Sequence, residues 1–476
     1  MPDSSYIRIK PRYQLRGWRD VPYAILDRET FGMMRLTEEA FRTAQFCNGR
    51  FMAGSPVFMG VRQRHLEALE KAGILERLDE PLPLEPEQEY RYFDNCRVES
   101  VQWSITGRCN YRCRHCYMGA PHAVLPQPTT EECLDIVDQM SACGISRLTI
   151  TGGEPLIRPD FLQIVDRIVE RGMRIDVLMT NGSLLTEGLL DGLAARGCHP
   201  EICLSYDGTQ GWHDWMRGIA GADDDFRRAM RLCRDRGFVT CVEMVLHAGN
   251  RHVLRETIAQ LGELGTSSVK VLNLTCAGEA ESISEYALTQ DEFMEACLAY
   301  APQYVEDGLP VPIISLGPLS VYEGRISLPV DRNGCSADCR KMAICGSGKR
   351  MLFLGPDGRI LPCIPMSELD TMRDYFPRIS SMSLKEALTS STYLRFVTTT
   401  LEEFLEHNPR CAACASRIPC GGGCRGIALR DNGGTDLLGV DEEMCRFFKG
   451  GFYERARALV SALQEPARRA WDARSS

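Results

Sequence analysis

Apolar residues through the middle of the chain alternate between two spacings. Short runs at 98–105, 147–151, 174–180, 201–205, 240–246 and 268–274 read as strands, and each precedes a segment with helical periodicity. In "TEECLDIVDQMSACG" the spacing predicts a helix capped by Thr130, with Leu134, Val137 and Met140 on one face and Gly144 past its end. In "PDFLQIVDRIVERG" it turns Phe161, Ile164, Val165, Ile168 and Val169 inward. Six such units predict an α/β fold, a parallel sheet with helices outside that closes into a partial barrel. Ligands then bind where the loops converge, at the C-terminal ends of the strands.

The flanks follow other patterns. Within residues 1–93, "YAILDRETFGMMRL" reads as a strand pair turning near Glu29. A helix follows, capped by Thr37, running through Phe41 and Phe46 and stopped by Gly49. A second helix ends at Gly73 before a short strand. Two helices with a small hairpin suggest a winged-helix-like domain. The acidic, Pro-rich residues 79–89 read as a linker. After the barrel (94–310), residues 311–449 are rich in Gly, Pro and Cys and read as loops, and 450–476 as a final helix.

A chain of 476 residues implies two or three domains. With 44% hydrophobic and 25% charged residues, no membrane-length apolar run and a polar N-terminus, a cytoplasmic protein that neither enters membranes nor is exported is expected. The net charge of −9 argues against nucleic acid as a partner. The 22 cysteines change the picture, because in a reducing compartment so many suggest metal ligands. Cys133, Cys198, Cys203, Cys233, Cys241 and Cys297 lie in apolar segments and read as small buried hydrophobes.

The others cluster. "CNYRCRHC", just after the first strand, supplies Cys109, Cys113 and Cys116. A structural zinc site needs a fourth protein ligand, which His115 or His122 could provide. A 4Fe–4S cube held by three thiolates leaves one iron open to a small molecule. The other strand ends bring polar groups to the same face: "TGGEP" with Gly152, Gly153, Glu154 and Pro155, "MTNGS" with Thr180 and Asn181, and "LSYDG" with Ser205 and Asp207. Asn-Gly and Asp-Gly also read simply as turns. Arg217 follows in "HDWMRG", with a plain surface arginine as its other reading. Downstream, Cys345 and Cys363 bracket Gly358 in a Cx12Gx4C pattern. "CAACASRIPCGGGC" then gives Cys411, Cys414, Cys420 and Cys424, and Cys445 follows.

The CxxxCxxC spacing resembles the radical S-adenosylmethionine (SAM) superfamily. That resemblance implies a cluster on Cys109, Cys113 and Cys116 whose open iron chelates SAM. It also implies SAM contacts from the Gly152–Gly153–Glu154–Pro155 segment, Thr180, Asn181, Ser205, Asp207 and Arg217, with His115 or Tyr117 against the adenine. Reductive cleavage of SAM would then yield a 5′-deoxyadenosyl radical. The downstream cysteines resemble the SPASM extension, which implies two auxiliary 4Fe–4S clusters. Cys339, Cys345, Cys363 and Cys424 would hold one, with Cys335 an alternative to Cys339, and Cys411, Cys414, Cys420 and Cys445 the other. The N-terminal domain resembles the RiPP recognition element, which implies binding of a precursor peptide's leader by strand addition; a winged helix for DNA or dimerisation is the other reading. Together these imply a peptide maturase fed by a low-potential donor such as ferredoxin or flavodoxin. The expected product is an intramolecular Cys thioether, with a carbon–carbon crosslink as the alternative. Sulfatase maturation is disfavoured, because Ile364 stands where those enzymes commonly carry an Asp base. A zinc-stapled peptide-binding scaffold and a redox-sensing DNA regulator are the non-catalytic alternatives.

Overall fold

The computed structural model describes residues 3–122, 125–329, 337–345, 348, 350–367 and 376–475. Strands Tyr6–Ile9, Asn48–Met52 and Leu75–Leu78 form an antiparallel sheet with Tyr6–Ile9 in the middle. Helices Glu38–Phe46 and Val61–Lys71 close it over Ile7, Ile9, Phe41, Ala44, Leu66 and Leu69. Thr37 caps the first helix as its sequence predicts, accepting from the Ala40 N–H. A second, four-stranded sheet joins Tyr13–Trp18, Val21–Asp27, Met33–Arg35 and Arg91–Phe93. The acidic stretch is not a loose tether. Gln88 is fully buried, and its amide donates to the carbonyls of Ile9, Lys10 and Tyr13. One buried amide meeting that many backbone groups fixes the stretch against the sheet.

The barrel strands are Ser100–Ser104, Arg147–Thr151, Arg174–Thr180, Glu201–Ser205, Thr240–Leu246 and Ser268–Asn273, all parallel and in chain order. Helices Thr130–Ala142, Phe161–Glu170, Glu187–Ala195, Ala222–Asp235 and Leu254–Glu263 follow the first five. Two details differ from the sequence reading. The first helix is capped by Thr129, whose hydroxyl and Glu132 form a reciprocal capping box, while the Thr130 hydroxyl donates to Asp160 at 2.6 Å. Val169 is 40% exposed, because a fifth apolar residue overfills the stripe this helix can bury.

The sheet does not stop near residue 310. Ile313–Leu316 adds a seventh parallel strand, extended by Leu319–Tyr322 and Arg325–Ser327. On the opposite edge Met351–Leu354 pairs in parallel with Ser100–Ser104 and carries Ile360–Leu361. The region beyond 376 forms short helices where loops were expected: Leu384–Thr389, Ser391–Thr398, Leu401–His407 and Glu442–Lys449, each with a side-chain cap, from Ser383, Ser390, Thr400 and Asp441. Helix Phe452–Ser475 then returns to the barrel, where Arg455 grips Glu295 through two bonds of 2.5 and 2.6 Å. No helix among the described residues is long and apolar enough to cross a membrane.

Candidate active site in the barrel mouth

The loop bearing Cys109, Cys113 and Cys116 leaves the first barrel strand and lies backbone-on-backbone against its neighbours. The Gly153 N–H donates to the Thr106 carbonyl at 2.9 Å, and the Glu154 N–H to the Arg108 carbonyl at 2.8 Å. A β-carbon at Gly153 would collide with that Arg108 carbonyl. The glycine pair therefore admits the cysteine loop itself, where the sequence reading had it admit a ligand. From the other side, the N–H groups of Arg112 and Arg114 donate to the carbonyls of Arg217 and Met216. The Glu279 N–H donates to the Cys116 carbonyl at 3.0 Å.

Glu154 is fully buried and already engaged. It accepts from the Thr180 hydroxyl at 2.8 Å, the Asn181 N–H at 2.8 Å and the Leu156 N–H at 3.1 Å. Burial pushes its carboxyl up to about 7. Asn181 in turn donates to Asn110 at 2.9 Å and approaches Cys109 Sγ at 3.9 Å. Glu154, Thr180 and Asn181 thus form a chain that holds the cysteine loop. Pro155 opens the tight turn Pro155–Ile157.

Asp207 is fully buried behind Arg217. Its carboxylate meets the guanidinium at 2.7 Å, and Arg217 Nη1 reaches Cys113 Sγ at 3.8 Å. Asp207 also accepts from the Val245 N–H at 3.2 Å. This carboxylate is spent on orienting Arg217; burial pushes it up, but the Arg217 cation and the His213 ring outweigh that and hold it well below the usual carboxylate range. Neither reading of Asp207 from sequence foresaw that role.

These groups surround a cavity of about 680 Å³. Cys109, Cys113, Cys116, His115, Tyr117, Gly152, Gly153, Thr180, Asn181, Ser205 and Arg217 line it; Glu154, Pro155 and Asp207 stand behind its wall. Deeper in, register places Ser205, Glu243, Lys270 and Ser315 side by side on four successive strands, all facing the cavity. Lys270 Nζ lies 3.3 Å from Glu243 Oε1. Closed barrels fill this level with branched apolar side chains, so a polar row marks a chamber for a guest. The sequence reading missed Glu243 and Lys270, although a charge at an inward position of an apolar strand is a legible signal. Cys203 and Cys241 sit on adjacent strands one level deeper and face the same lumen.

The donor set discriminates between metals. Among the described residues, no three ligating side chains converge on a single ion position. Three thiols on one loop around an open mouth suit a cube, in which each thiolate takes its own iron. Buried polar atoms without partners, His115 Nδ1 and Arg217 Nε, point to a polar guest beside it. Burial with Arg217 nearby lowers His115 to about 4, so the ring is neutral. His122 is exposed and faces Glu279 at 3.4 Å.

Residues 103–261 match the family model of the Radical SAM superfamily. The chain is a radical SAM enzyme. That family implies a 4Fe–4S cluster and SAM, and the three thiols, the neutral imidazole and the fixed guanidinium fit both. Relatives include an AdoMet-dependent heme synthase of Methanosarcina barkeri, 25% identical over 74% of this chain and 97% of that one. A PqqA peptide cyclase of Granulibacter bethesdensis is 25% identical over 70% of this chain and 84% of its own. Among solved structures, Streptococcus suis SuiB bound to its precursor peptide SuiA superposes with a TM-score of 0.66 at 14% identity. That match covers 92% of this radical SAM enzyme and 100% of SuiB.

A second group of cysteines gathers in the C-terminal region. Cys411, Cys414, Cys420 and Cys445 line one small cavity. A β-carbon at Gly426 would sit 3.7 Å from Cys363 Sγ and 3.8 Å from Cys424 Sγ, so those two thiols flank one point. Cys345 Sγ packs beside Gly348, accepting its N–H at 3.3 Å. Cys339, expected to complete the set of Cys345, Cys363 and Cys424, is buried and disulfide-bonded in this structure. Cys335 lies outside the described residues.

Proposed function

We propose that this radical SAM enzyme is a peptide maturase that crosslinks a ribosomally made precursor, joining a Cys sulfur to a carbon of another residue. The observation that carries the reading is the pairing of a polar lumen with a separate N-terminal sheet on the same chain. That sheet offers open edges at Asn48–Met52 and Leu75–Leu78, where an extended leader can add a strand. A dock of this kind raises the local concentration of the peptide segment presented to the chamber. The SuiB fold, which spans nearly the whole chain, supports this arrangement. The heme synthase relative matches 74% of the chain, leaving the rest to some other purpose.

When bound, the cluster with SAM supplies one-electron cleavage of the sulfonium and hydrogen-atom abstraction from an unactivated carbon. This chain's residues do the rest. Arg217, fixed by Asp207, would hold the SAM carboxylate; Ser205 would hold the ribose and methionine portion, and His115 or Tyr117 the adenine. The Glu154–Thr180–Asn181 chain keeps the cysteine loop in place, and the lumen row would seat the peptide. Cys345, Cys363 and Cys424 would hold one auxiliary cluster and Cys411, Cys414, Cys420 and Cys445 another, which would supply electron-accepting chemistry. A low-potential donor such as ferredoxin or flavodoxin would reduce the SAM-binding cluster.

A carbon–carbon bond is the second reading, and the PqqA peptide cyclase relative supports ring closure on a peptide in either case. Sulfatase-type chemistry is disfavoured because Ile364, which lines the lumen, cannot act as a base. The test uses anaerobically reconstituted enzyme, SAM, dithionite and a Cys-containing precursor peptide, sought among the short open reading frames that neighbour its gene. A product lacking two hydrogens per crosslink, with 5′-deoxyadenosine formed, is expected. An unmodified peptide alongside SAM cleavage would overturn the reading.

A further inference from the structure

Arg425 follows Cys424 directly and is 1% exposed. Such a charge is costly unless something opposes it. Its guanidinium donates only to backbone carbonyls, those of Gly422, Leu437 and Gly439. Its Nε is buried without a partner, and its face lies 4.9 Å over the Phe404 ring. Among the described residues no carboxylate forms an ion pair with it. The buried carboxylate in that region, Asp441, spends both oxygens on the N–H groups of Cys424 and Met444, at 2.7 and 2.8 Å. Asp441 opposes the cation through space without bonding to it, and the thiols of Cys424, Cys345 and Cys420 surround it as well. Cys424 and Cys363 flank Gly426 on one side, and Gly422 lines the cavity of Cys411, Cys414, Cys420 and Cys445 on the other.

We infer that Arg425 is the counter-ion shared by the two cysteine sets, and that it raises the reduction potential of the auxiliary clusters they hold. The inference rests on the auxiliary ligation proposed above. A cube with three or four thiolates is anionic and becomes more so on reduction. A fixed cation beside it favours the added electron, and low permittivity strengthens the effect. Arg425 is thus a tuning residue for electron acceptance; it touches no substrate. Its carbonyl bonds fix its position, since the rigid fork serves three acceptors at once.

The test is an EPR-monitored redox titration, with iron analysis, of reconstituted wild type, Arg425→Gln and Arg425→Lys. Arg425→Gln is expected to shift an auxiliary midpoint negative, Arg425→Lys to keep it near wild type, and the SAM-binding cluster to stay unmoved in both. Loss of auxiliary iron in Arg425→Gln with full loading in Arg425→Lys also supports the inference, since charge is what the two differ in. Unchanged midpoints in Arg425→Gln overturn it. So do equal shifts, or equal iron loss, in both variants, which assign Arg425 a purely architectural role. A wild type holding only about four irons, one cube's worth, instead overturns the auxiliary ligation itself, and this inference with it.

Discussion

At the residue scale, the barrel mouth works by indirect support. Residues that look like ligand contacts in the sequence hold other residues: Asp207 aims Arg217, and Glu154 ties Thr180 and Asn181 to the cysteine loop. Asp207→Asn should therefore weaken SAM binding by about tenfold or more while the three cysteines still load iron. Isothermal titration of the reconstituted protein checks this. Removing one partner of a buried pair costs several kcal/mol, so Arg217→Met should do no less damage. Glu154 adds a pH dependence. Its folded value, about 7, lies above the ordinary 4.5, so the folded state holds the extra proton between them. Its contribution is fully present below about 4.5 and is lost as pH rises through about 7. Thermal melts across that range should show wild type losing stability relative to Glu154→Gln as pH rises. The cysteine motif was legible from spacing alone. The Asp207–Arg217 pair was not, because ten residues of chain separate partners that only the fold brings together.

At the element scale, the six barrel strands follow the apolar runs closely, because the face of each strand that packs on the helices is buried and apolar. What escaped detection were elements whose partners lie far away. Ile313–Leu316 and Met351–Leu354 are four residues each and gain their meaning only by pairing with distant strands. The short C-terminal helices hid behind a Gly- and Cys-rich composition. Two substitutions probe element junctions. Thr129→Ala removes half of a capping box and should cost about 1 kcal/mol in denaturant unfolding, leaving activity intact. Gly153→Ala should do the reverse. Its added methyl meets the Arg108 carbonyl, displaces the cysteine loop, and should remove about four irons per chain at little cost in global stability.

At the scale of the whole molecule, the proposed function assigns separate tasks to the N-terminal sheets, the barrel and the C-terminal helices. Deleting residues 1–93 should leave dithionite-driven SAM cleavage near wild type while raising the KM for the precursor peptide at least tenfold, as mass-spectrometric product assays would show. That deletion also exposes Trp18's partner surface near Gly144, so a Phe93-retaining variant is the better control. The three modules meet at one place of particular consequence. Ile364 forms part of the lumen wall, and its chain neighbour Cys363 is a proposed auxiliary ligand. On the proposed ligation, a peptide seated in the lumen would lie one residue's breadth from an electron acceptor, so its oxidation would call for no opening of the barrel and no carrier between substrate and cluster.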